Sequence, residues 1–160
     1  MTQPKYGPGA PIHGGQKVSG LEYMQAMARG EKASSPFVGG LGIRVVEAEF
    51  GRCVFECDIG EQHYNALGIV HGGLAATLID SATGSAALTT QDAGGSSTTI
   101  ELKVNFVRPM TSKTGRVRCE GKIIHQGKRI ATADAHLTDS RGKLIAHGSA
   151  TLMLFQDQGG

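Results

Sequence analysis

Hydrophobic and polar positions change period several times along the chain, and each change marks an element. In VSGLEYMQAMARGEKA (18–33), Leu21, Met24, Met27 and Ala28 fall at helical spacing, with Ser19 as N-cap, which predicts a short amphipathic helix. SSPFVGGLG then breaks it. From Ile43 the period is two. Val45, Glu47 and Glu49 alternate with Arg44, Val46, Ala48 and Phe50. After a hairpin turn at Gly51 and Arg52, Cys53, Phe55 and Cys57 share one face, and Val54, Glu56 and Asp58 the other. Residues 60–70 read as a loop and 71–90 as one long helix. Four strands follow, over 97–109, 114–126, 128–139 and 143–155, with turns at Gly115, 125–128 and 139–142. In the first of them Ile100, Leu102, Val104 and Phe106 alternate with Glu101, Lys103 and Asn105.

This order predicts an α+β fold: a curved antiparallel sheet wrapped around one central helix, with a short helix at the N-terminal side. Such a sheet leaves edges, and long edges invite pairing with a second copy. Residues 1–17 are rich in Pro and Gly without apolar period and predict a mobile arm, leaving 18–160 as a single domain.

Inside the long helix one residue breaks the pattern. Leu74, Ala75, Leu78, Ile79, Ala82 and Ala86 fall within one arc that faces the sheet. Asp80 lies almost opposite, beside Ala76, Thr77, Gly84 and Ala87, on a face without Lys, Arg or Glu. Small residues let another backbone or a ligand approach closely. Burying an unpaired carboxylate costs several kcal/mol. Asp80 is therefore either a structural carboxylate held by a nearby hydroxyl or amide, or a general base or nucleophile. His71, Gly72 and Gly73 open the helix, where the first N–H groups lack intrahelical partners and carry the positive end of the dipole. Two glycines there permit a tight turn, or let a carbonyl reach those amides as in an oxyanion hole. His71 reads as a cap or as a positioning group, and Asn65 just ahead can hydrogen-bond a water or a carbonyl.

Composition narrows the classes. The chain has 160 residues, no Trp, 24 Gly and a formal charge of +2, too weak to argue for nucleic acid. No apolar run is long enough for a membrane span, and the N-terminus lacks a secretory signal, which predicts a cytoplasmic protein. Cys53, Cys57 and Cys119 show no metal-site spacing and read as reduced thiols. No dinucleotide glycine loop, metal cluster or Gly-x-Ser-x-Gly elbow occurs, so neither a cofactor nor a metal is expected.

The segment NALGIVHGGLAATLIDSATG, followed by TTIELKVNFVRP, resembles hotdog-fold acyl-CoA thioesterases, in particular the phenylacetate-pathway (PaaI-like) type of the 4-hydroxybenzoyl-CoA thioesterase superfamily. The resemblance covers roughly residues 36–155. It implies hydrolysis of small or medium acyl- or aryl-CoA thioesters to free acid and coenzyme A. It also implies roles. Asp80 matches the general base or nucleophile, and Gly72 the glycine whose N–H polarises the thioester carbonyl. Asn65 matches the asparagine that orients water or thioester, Thr99 the hydroxyl beside the carboxylate, and His71 the motif histidine near the carbonyl. In that family the site lies between protomers, which implies a homo-oligomer, a dimer at least and a tetramer by resemblance. Gly73 falls beside the same amides. Arg108, Lys128 and Arg129 are candidates for the coenzyme A phosphates, or ordinary solvated charges. Two rival functions are a hotdog dehydratase or hydratase, and a non-catalytic acyl-CoA-binding or regulatory module.

Overall fold

Ser19 caps the first helix reciprocally. Its hydroxyl accepts the Glu22 N–H at 3.2 Å, and the Glu22 carboxylate accepts the Ser19 N–H at 2.8 Å. The computed structural model describes residues 18–156, so the arm expected over 1–17 lies outside the described residues. Helix α1 spans Gly20–Ala28, shorter than the periodicity predicts, because Arg29 caps it and Gly30 takes a positive φ of 76°. The stretch read as a break holds a second short helix, α2 (Pro36–Gly40), started by a proline whose fixed φ suits the first helical turn.

Six strands form one antiparallel sheet in the order β1-β2-β4-β5-β6-β3. They are β1 (Ile43–Glu49), β2 (Arg52–Asp58), β3 (Ser96–Phe106), β4 (Arg116–Gln126), β5 (Ile130–Asp139) and β6 (Leu144–Phe155). The central helix α3 (Gly72–Leu88) lies across the sheet and touches all six strands. Leu74, Ala75, Leu78, Ile79, Ala82 and Ala86 are all buried, as the helical arc predicts. This is the hotdog arrangement, with an aliphatic core between helix and sheet. Among the described residues no helix is long and apolar enough to cross a membrane.

Two local corrections concern the strands. The β1–β2 turn is Phe50 and Gly51, with Gly51 at φ 73°, and Arg52 already belongs to β2. In β3 the simple alternation fails. Thr99 pairs with Leu152 while Glu101 pairs with Thr151, so Ile100 is an extra residue in a β-bulge and is 52% exposed. Plain alternation from Leu102 would put Thr99 on the outer face with Glu101. The bulge instead brings Thr99 and Leu102, three apart, to the helix side.

The outer face of β1, β2 and β4 carries a ladder of charges. Arg52 bridges Glu47, Glu49 and Glu120, and Arg118 bridges Glu47 and Glu56. Val54 lies between Glu47 and Glu120 in register and is fully buried beneath these chains. The three cysteines are free and buried, and burial pushes the Cys53 thiol up to about 12, as befits inert core residues.

Candidate active site

Asp80 sits mid-helix and half-buried, and its Oδ1 accepts the Thr99 hydroxyl at 2.7 Å. The bulge at Ile100 is what aims Thr99 at this carboxylate. Oδ2 has no hydrogen-bond partner among the described residues. The pair opens into a cavity of about 270 Å³ lined on one side by Ser81, Gly84, Ser85 and Ser97. Tyr23, Met24, Met27, Val38, Phe55 and Leu88, with Ser35, complete the lining. A carboxylate that accepts one hydroxyl and keeps one oxygen open can hold and deprotonate a water.

The helix start builds the second half. His71 is the N-cap, and its Nδ1 accepts the Gly73 N–H at 2.8 Å. That bond makes His71 an exposed capping residue, and it takes up the Gly73 amide that the glycine pair was expected to offer. The Gly72 N–H, one position earlier, has no partner among the described residues and borders a second cavity of about 320 Å³. Asn65 lines the same cavity. Its Oδ1 accepts the Leu67 and Ile69 N–H groups, which folds the loop and leaves the side-chain NH₂ without a partner among the described residues. Phe106 forms the wall over Gly72, with a Cβ at that position falling 3.3 Å from its ring.

Asp80 and Thr99 thus come together, and Gly72 and Asn65 come together, but the two pairs do not meet within one chain. Asp80 follows Gly72 by eight residues of continuous helix, roughly 12 Å along the axis and about 80° around it. No single carbonyl reaches both.

The cations are also divided. Arg108 borders the Gly72 cavity and a neighbouring cleft of about 570 Å³ that holds Lys113, Arg141 and Lys143 as well, with Asp139 the one acidic side chain on its wall. Asp139 is kept below the usual carboxylate range by the N–H groups of Lys143 and Arg141. Lys128 and Arg129 lie in the β4–β5 turn, at the far end of β5 from this cleft, roughly 30 Å along a ten-residue strand.

Sequence reasoning missed several contributors. Lys113, Arg141 and Lys143 were hidden because two segments distant in the chain, the β3–β4 connection and the β5–β6 turn, supply the basic cleft. His63 is buried and ties the loop before α3, with Nδ1 accepting the Gly60 N–H and Nε2 3.0 Å from the Leu41 carbonyl oxygen. Helix α2, in a stretch read as a break, also contributes Val38 to the Asp80 cavity.

Comparison with known proteins identifies the family and the fold. The family described as the thioesterase superfamily matches residues 67–146, which include both half-sites up to Thr99 except Asn65. Human acyl-coenzyme A thioesterase 13 is 34% identical over 111 residues, covering 68% of this chain and 77% of that protein. A thioesterase family protein from Silicibacter pomeroyi superposes with a TM-score of 0.73 at 26% identity, covering 83% of this chain and 98% of that one. The PaaI protein of the E. coli phenylacetic acid degradation operon shares the fold, with a TM-score of 0.73 at 20% identity and coverage of 86% and 96%. The chain belongs to the thioesterase superfamily, as a thioester hydrolase with the hotdog fold.

Proposed function

We propose that the protein hydrolyses small or medium acyl- or aryl-CoA thioesters at sites shared by two copies, each site taking Asp80 and Thr99 from one copy and Gly72 and Asn65 from the other. The separation of the two half-sites along α3 carries this reading. Strand β3 supplies the means of joining them. It is the last strand of the sheet, its outer edge is open, and Phe106 and Val107 near its end are 62% and 54% exposed. It passes Asp80 near its beginning, at Thr99, and ends beside Gly72, at Phe106. Antiparallel pairing of two β3 edges about a two-fold axis sets the beginning of one against the end of the other. The carboxylate of one copy then approaches the free amide of its partner.

In such a site Asp80 takes a proton from water as the water oxygen bonds to the thioester carbon. The charge growing on the carbonyl oxygen meets the Gly72 N–H and the Asn65 amide. Collapse breaks the C–S bond, and the proton held by Asp80 passes to the departing thiolate. A thiolate leaves readily, so one base and one oxyanion hole suffice.

Mixing two inactive variants tests the shared site. Gly72→Pro removes the N–H in question, and its Cβ would stand 3.3 Å from the Phe106 ring, which has to give by a few tenths of an ångström. Proline is tolerated at the first helical position, and His71 already has the extended backbone (φ −61°, ψ 132°) that a following proline demands. Asp80→Asn and Gly72→Pro should each be nearly inactive. Unfolded together and refolded, they should recover about a quarter of parental activity, since half of random pairs are mixed and each mixed pair has one intact site. No recovery from two well-folded variants would sink the shared site.

Arg108, Lys113, Arg141 and Lys143 support coenzyme A as the carrier. Their cleft shares Arg108, Pro109 and Ile145 with the Gly72 cavity, so a thioester at Gly72 has a continuous path to four cations. The phosphates of coenzyme A match that charge. Lys113→Ala combined with Arg141→Ala should raise KM for acyl-CoA roughly tenfold, at about 0.5–1 kcal/mol for each exposed charge. Hydrolysis of the matching N-acetylcysteamine thioester, which has no phosphate, should be unchanged. Equal losses on both substrates would exclude a phosphate contact.

A further inference from the structure

The group attached to the thioester carbonyl has to lie in the Asp80 cavity, and its far wall is built largely from outside the matched family region. Residues 67–146 supply Asp80, Gly84, Leu88 and Thr99, whereas Tyr23, Met24, Met27 and Val38 come from α1 and α2. We propose that α1 is the end wall of the acyl cleft and sets an upper limit on acyl size. This inference rests on the placement of the reacting carbonyl beside Asp80.

The cleft follows α3. Asp80, Gly84 and Leu88 all border it, spaced by one helical turn each, so it runs from the carboxylate toward the C-terminal end of the helix. Its character changes along that path. Asp80 and Thr99 lie at one end, and Leu88, Met24 and Met27 at the other. Gly84 removes a side chain at the middle turn, where a Cβ would stand 4.0 Å from the Thr99 hydroxyl. A glycine inside a helix costs about 1 kcal/mol relative to alanine, and here that cost leaves room beside the reacting groups.

The end of the cleft is closed by a backbone contact. The Gly20 N–H donates to the Gln91 carbonyl at 2.9 Å. A Cβ on Gly20 would lie 1.8 Å from the Leu88 carbonyl oxygen, so only glycine lets the start of α1 sit against the end of α3. The capping box at Ser19 holds the first turn of α1 in place at this junction. Met24 is 2% exposed and anchors the helix to the core, while Tyr23 and Met27 are partly exposed toward the cleft. A wall pinned at its root and packed along its length cannot yield freely to a longer chain.

The volume sets the limit. The cavity of about 270 Å³ compares with ~150 Å³ for an apolar cavity that takes one benzene ring. By that packing it holds roughly ten carbon atoms, which fits an aryl group on a short linker or a medium straight chain.

The test is a chain-length profile. Hydrolysis of straight-chain acyl-CoA esters from four to sixteen carbons should peak at medium length and fall at least tenfold by sixteen. Met27→Ala should move the peak toward longer chains by two or more carbons, and Ser85→Leu should move it toward shorter ones. Affinity gives a readout independent of turnover. In the Asp80→Asn protein, binding of 2-oxoalkyl-CoA thioethers, measured by calorimetry, should stop improving near the same length and extend further when Met27→Ala is added. Affinity that rises steadily to sixteen carbons, or profiles that superimpose in parent and variants, would overturn the end wall. Absence of any hydrolysis alongside a clear affinity limit would count against the catalytic reading and still support the wall.

Discussion

Asp80→Asn is expected to lower kcat by roughly 10²- to 10⁴-fold, the range that loss of a positioned base produces, with little change in KM or in thermal stability. The substitution is nearly isosteric. The Asn carbonyl oxygen can still accept the Thr99 hydroxyl, so the 2.7 Å bond that orients the side chain survives. What disappears is the ability to take a proton from water. Asp80 faces a cavity rather than the core, so its charge is not required to hold α3 in place. Thiol release from a panel of acyl- and aryl-CoA esters, run on parent and variant beside their melting curves, reads both quantities. A folded variant with undiminished turnover would move the chemistry to another residue. It would also remove the rationale for a lone carboxylate on a small-residue helix face.

The second large effect is on stability. Gly121→Ala should destabilise the protein by about 3 kcal/mol or more, at the upper end for overpacking, because the obstruction is backbone. In β4, Gly121 lies directly under α3, and a Cβ there would fall 2.4 Å from the carbonyl carbon and oxygen of Ala82 and 2.9 Å from the Thr83 nitrogen. A side chain in the way could rotate; a helix backbone can only lift off the sheet. That lift would loosen the contacts of α3 with its neighbouring strands together. A fall in Tm of roughly 10 °C is expected for a domain of this size. Gly84→Ala is the contrast. Its Cβ would meet nothing nearer than 3.9 Å, so helix propensity should dominate and Tm should rise slightly. Equal and small shifts in both variants would show that α3 rides on the sheet less tightly than the Gly121 contact implies.

The elements were legible in the sequence because their periods differ. The buried arc of α3 and the alternation of β4, β5 and β6 follow the hydrophobic pattern closely. Errors fall where a single residue changes phase or a cap overrides propensity. Gly30 ends α1 early, Pro36 starts α2 in a stretch otherwise rich in breakers, and Ile100 shifts β3 by one. Half of the site was readable from local order: a carboxylate on an uncharged helix face, and glycines at a helix start. Its other features depend on distance in the chain. The Asp80–Thr99 bond spans 19 residues and a bulge, and the basic cleft joins the segment after β3 to the β5–β6 turn. Periodicity does not report contacts of that kind. That His71 uses its ring on Gly73, leaving Gly72 as the open amide, follows from cap geometry alone.

The bulge in β3 bears on how this strand tolerates insertion and loss. Ile100 is the surplus residue, so removing it would leave Thr99 opposite Leu152 and Glu101 opposite Thr151 in an unbroken ladder. The residues before it read Ser96-Ser97-Thr98-Thr99, four hydroxyls in succession. A slip of one position in this run therefore replaces one hydroxyl with another. Length variation at the sheet edge and retention of the carboxylate's partner are decoupled here. Among related chains the matching hydroxyl is best located by its register against β6 and not by its column in an alignment.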